Sequence, residues 1–84
     1  MAINKLAEYK AIQDKIVQQL FDKATKVSEA DIQKLIGKES SETEYHLEQL
    51  VAGKRIQLSN ITSTGRSITA YIITAEGRKW VMEK

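Results

Sequence analysis

The sequence predicts an α+β fold in which three helices precede a two-stranded hairpin and one short helix follows it. Three observations carry that expectation. From Ile3 to Phe21 apolar residues recur at spacings of three and four, the period of an amphipathic helix, with no Gly or Pro in the run. Two hydroxyl-and-acid start signals then follow in series, at Ser28 and at Ser41. After Gly53 the period changes to two, and the chain reads as strands.

Taken in order, the first helix is expected over about 3–23. Ile3, Leu6, Tyr9, Ile12, Ile16, Val17, Leu20 and Phe21 span roughly half of its circumference, wider than the stripe of about 100° that a surface helix needs. The later turns must supply the core, so the surplus at Ile3, Leu6 and Tyr9 is the expected dimer surface. Ser28 and Asp31 have cap and first-turn chemistry for a second helix, which Ile32, Leu35 and Ile36 anchor and Gly37 closes. The segment Gly37-Lys38-Glu39-Ser40 has the length of a turn between two short helices. Ser41 with Glu44 forms a capping-box pattern, so the third helix is expected to start near Glu42. Thr43, Leu47, Leu50 and Val51 would form its buried stripe, with Gly53 as a left-handed stop. The helix-turn-helix thus covers about 28–52.

Ile56 and Leu58 alternate with Arg55, Gln57 and Ser59, and Ile68, Ala70 and Ile72 alternate with Thr69, Tyr71 and Ile73. These predict a hairpin over about 55–73, with a polar tip from Ile61 to Ser67 whose Gly65 can take a positive φ. Thr74 is the cap of a last helix over about 75–83, anchored by Trp80 and Val81. One core built from Leu20, Leu47, Leu50, Ile56, Ile72 and Trp80 is the expectation. With 84 residues the chain allows a single domain over 1–84, of a size that buries about 60% of its unfolded surface.

Composition excludes several functions. The absence of Cys removes disulfides and thiolate metal sites, and one His cannot build a multi-histidine centre. No Gly-rich phosphate loop and no nucleophilic set is present, so neither an enzyme nor a cofactor is expected. The N-terminal stretch is interrupted by Lys5, Glu8 and Lys10, and no run approaches 18 apolar residues. A cytoplasmic, non-membrane protein is the expectation. The net charge of +2 is unevenly spread: +2 over residues 1–26, −4 over 27–53 and +4 over 54–84.

The run His46-Leu47-x-x-Leu50-Val51-x-Gly53-x-x-Ile56 resembles the second helix of the helix-turn-helix in winged-helix regulators of the arsenic-repressor and MarR type, small prokaryotic or phage proteins. Ile73-Thr74-Ala75-Glu76-Gly77-Arg78 is similar to the junction between wing and last helix in such proteins. The resemblance implies a winged helix-turn-helix: a three-helix bundle, a two-stranded β-hairpin wing and a C-terminal helix. It also implies double-stranded DNA as partner, with the third helix in the major groove, and a dimer.

Residue chemistry fills in that picture and opposes part of it. Ser40, Ser41, Thr43, Tyr45 and Gln49 can touch bases or phosphates from the third helix, while Lys38 in the turn, Lys54 and Arg55 at the hairpin base and Arg66 at its tip can draw phosphates. Arg66 beside Gly65 is placed to lie along a minor groove. The same helix carries Glu42, Glu44 and Glu48, which repel phosphate. A second reading therefore stands beside the first: an adaptor that docks a protein partner on these glutamates or on the apolar face of the first helix. His46 is expected to be a half-buried residue at the edge of the domain.

Overall fold

The structure, a computed structural model, describes residues 5–83. Its first helix, α1 (Lys5–Lys23), buries Ile16, Val17 and Leu20 completely and packs Ile12 and Phe21 against the same cluster. Ile3, part of the expected dimer surface, lies outside the described residues. The helix ends without glycine, because Ala24 itself takes the left-handed conformation at φ 55° and its N–H reaches Leu20 O at 3.0 Å.

The next element is a strand that period-two patterning does not reveal. β1 (Val27–Ser28) pairs antiparallel with the later strand β3 (Arg66–Ile73), Val27 opposite Tyr71 and Ser28 opposite Ala70. Ser28 then also caps α2 (Glu29–Ile36), its hydroxyl accepting from Asp31 N–H at 3.2 Å. Gly37, at φ 65°, closes that helix as the sequence predicts. Across the turn the Gln33 amide donates to Lys38 O at 3.2 Å.

The start of α3 (Ser40–Ala52) corrects the expected capping box. The helix begins two residues earlier than expected, the cap position is Glu39, and no side chain accepts there. Thr43 explains the shift: its hydroxyl donates to Glu39 O at 2.9 Å, alongside its own N–H, so the first turn is stabilised by a buried threonine rather than by Ser41 and Glu44. Thr43, Leu47 and Leu50 are buried as expected, but Val51 is 37% exposed. The stop is displaced as well, since Gly53 has φ −80° and the left-handed residue is Lys54, at φ 61°.

β2 (Ile56–Ser63) and β3 form a ladder from Ile56 opposite Ile73 to Ser63 opposite Arg66. The hairpin loop is therefore only Thr64-Gly65, both at positive φ (47° and 77°), much shorter than the expected tip from Ile61 to Ser67. This register puts Ile73 and Tyr71 on the face toward the helices, and Ile72 on the other face with Gln57. Ile72 is accordingly half-buried and Tyr71 and Ile73 join the core, a one-residue shift from the expected assignment.

The last helix, α4 (Ala75–Met82), is capped by the Thr74 hydroxyl, which accepts from Gly77 N–H at 3.0 Å and donates to Lys54 O at 2.6 Å. This ties the helix to the base of the hairpin. Gly77 allows the close approach: a Cβ there would collide with the Arg55 carbonyl. Trp80 and Val81 pack on the core from its margin rather than within it. Sheet order is β1-β3-β2. Helix-turn-helix, wing and C-terminal helix together make a winged helix-turn-helix. No helix among the described residues is long and apolar enough to cross a membrane.

Candidate functional site

The side of α3 opposite Thr43, His46, Leu47 and Leu50 faces solvent, and it carries Ser41, Glu44, Tyr45, Glu48, Gln49 and Ala52. Period 3.6 sorts these residues: those one turn apart share a face, so burying Leu47 and Leu50 turns Tyr45 and Glu48 outward. Ser40 and Ser41 stand at the N-terminus, where the first-turn N–H groups have no side-chain cap.

Thr43 does not belong to this surface. It is fully buried and its hydroxyl is engaged by Glu39 O, so the expected DNA contact there is withdrawn. Glu42 is also turned away from solvent in part, with one carboxylate oxygen buried against His46, which leaves Glu44 and Glu48 as the exposed acids of the helix.

His46 is fully buried, not half-buried at an edge. Its Nδ1 lies 3.1 Å from the Gln13 amide nitrogen and its Nε2 lies 3.5 Å from a Glu42 oxygen. With the amide donating to Nδ1, the ring proton belongs on Nε2, facing the carboxylate. Tyr9 packs edge-on to the imidazole at 4.7 Å, and Tyr45 lies 5.4 Å from it and 5.6 Å from Tyr9. Tyr9, expected at a dimer surface, is thus half-buried in a ring cluster joining α1 to α3, whereas Leu6 is 80% exposed. The Gln13 contact spans 33 residues of sequence, and no local pattern announces it.

The cations differ in availability. Lys54 and Arg66 are exposed at the base and the tip of the hairpin. Lys38 pairs with Glu8 at 3.4 Å, and the Arg55 guanidinium stacks over Trp80 at 4.8 Å. Two open depressions flank α3. One, of about 440 Å³, is lined by Tyr9, Gln13, Tyr45, Gln49, Arg55 and Trp80 among others; the second, of about 420 Å³, by Glu48, Val51, Ala52, Leu58 and Tyr71.

No family model and no curated protein sequence matches the chain. Among solved structures it is similar to that of a "putative transcriptional regulator" from Thermoplasma acidophilum, with a TM-score of 0.76 over 94% of this chain and 79% of that one. Sequence identity is 16%, so the likeness is one of fold.

Proposed function

We propose that the protein binds double-stranded DNA as a small transcriptional regulator. The observation that carries this reading is the placement of exposed Lys54 and Arg66 at the two ends of the wing, beside an α3 whose outer side offers Ser41, Tyr45 and Gln49. The regulator described for the similar fold supports it. In this reading Arg66 and Lys54 attract phosphates, Lys38 joins them on release from Glu8, and Arg55 contributes from its stack on Trp80. Ser40 and Ser41 present hydroxyls and uncapped N–H groups to a phosphate at the helix N-terminus. Tyr45 and Gln49 reach base edges. Leu6 offers the apolar surface for a homodimer along the first turns of α1, and the cytoplasm is the compartment that fits.

A specific observation favours a second reading, docking of a protein. Glu44 and Glu48 stand where a groove-bound helix ordinarily presents cations. Anisotropy of a labelled duplex at low and at moderate salt separates the two. DNA binding predicts saturation at low salt and a steep loss as salt rises; no saturation at low salt overturns it in favour of the adaptor.

A further inference from the structure

β2 is an outer strand of the sheet, and among the described residues no strand lies beyond it. Its sequence, Ile56–Ser63, contains neither a charge nor a proline, the devices that ordinarily keep an exposed edge from accepting another strand. Beside this edge Leu58 is 58% exposed, and Val51 on the last turn of α3 is 37% exposed. With Ala52 and Tyr71 they floor an open groove of about 420 Å³. Its rim is acidic on one side: Glu48 lines the groove, and Glu44 stands exposed one turn earlier on α3.

We propose that this edge and groove receive an extended basic segment of a partner protein. The segment adds to β2 as a strand, sets an apolar side chain on Leu58 and Val51, and directs Lys or Arg side chains toward Glu44 and Glu48. Each part of the occupant follows from a part of the site. Apart from Asn60 O, which accepts from Lys26 Nζ at 3.0 Å, the edge of the outer strand supplies main-chain hydrogen bonds to an extended chain, and alternate side chains of that chain fall on the groove side. The carboxylates select cations and repel a nucleic-acid backbone at this place. A second copy of β2 would lay an uncharged strand there and leave the glutamates without a complement.

The inference deepens the protein-docking reading of Glu44 and Glu48, and a peptide titration reads it apart from the duplex titration that decides DNA binding. The probe is a fluorescein-labelled, end-blocked octapeptide in which threonine occupies every second position and valine and arginine take turns at the others, so that both fall on the groove side, titrated by anisotropy and followed by amide chemical shifts. The expected result is saturable binding with shifts confined to Val51, Ala52 and the β2 amides. Leu58→Lys, a change at an exposed site, should weaken binding about tenfold and leave the thermal melt in place. Glu48→Lys should weaken it as well. The same peptide with alternate backbone nitrogens methylated should not bind, because its charges remain and its pairing is lost. Equal binding of the methylated peptide, indifference to Leu58→Lys, shifts elsewhere on the protein, or no saturation at millimolar peptide overturns the proposal. So does a dimer of the protein alone that Leu58→Lys dissociates, which would make a second copy the occupant.

Discussion

Leu47 sits on the inward face of α3 with 1% of its surface exposed, inside a cluster drawn from α1, α2, α3 and all three strands. Leu47→Ala is expected to cost on the order of 2 to 5 kcal/mol, a large share of the stability of so small a fold, as read by denaturant titration. Tyr71 gives a second residue-scale test. Its phenol titrates above 10.0 in the folded protein, so the neutral form is favoured there. A raised pKa contributes stability that is fully present below the unfolded value and is lost as pH rises through the folded one. Stability should therefore fall above about pH 10, and Tyr71→Phe should flatten that fall in melts taken across the alkaline range. Both residues were legible to different degrees. Leu47 follows from helix spacing alone, whereas Tyr71 stands in a strand whose two faces, Ile68-Ala70-Ile72 and Thr69-Tyr71-Ile73, are each apolar enough to be the inner one. Only its pairing with Val27 and Leu58 decides, and that is tertiary information.

At the scale of elements, the helices were readable because their signals are local. The Ser28 cap, the Gly37 stop and the Thr74 cap all lie within a turn of the helix ends they mark. The α3 start was ambiguous because Ser40, Ser41 and Thr43 offer three hydroxyls within one turn, and burial of Thr43, not cap propensity, selects among them. β1 is too short for a period to show, and the Gln13–His46 contact joins residues far apart in the chain. Beside the shared core, α1 and α3 are tied by the His46 ring cluster, which takes Tyr9 from the outer face and leaves Leu6 exposed. The proposed dimer must then depend on the first turns of α1. Sedimentation at micromolar concentration should show a dimer that Leu6→Lys dissociates; a monomeric parent protein would remove the dimer, and with it half-sites spaced one helical turn apart.

Across the whole molecule, charge is divided between an acidic α2–α3 unit and a cationic hairpin with its following helix. A phosphate backbone that meets this surface is drawn at Lys54 and Arg66 and repelled at Glu44 and Glu48, so in the proposed DNA complex attraction and readout fall on different elements. That division predicts different consequences for different substitutions. Arg66→Ala and Lys54→Ala should each weaken binding to every duplex and lower the slope of log affinity against log salt by about one, since each removes one phosphate contact. Tyr45→Ala and Gln49→Ala should leave that slope in place and instead change the preference among sequences by roughly 1 to 3 kcal/mol at a base pair, as direct contacts to base edges do. Glu44→Gln should strengthen binding to all duplexes by removing a repelling charge from an exposed position, and Thr43→Ser, at a buried hydroxyl that α3 needs for its first turn, should leave sequence preference unchanged. Salt titrations of each variant against two unrelated duplexes read all three effects together. A loss of slope in Tyr45→Ala or Gln49→Ala equal to that in Arg66→Ala would mean that α3 meets only phosphates, and the wing alone would then hold the protein on DNA.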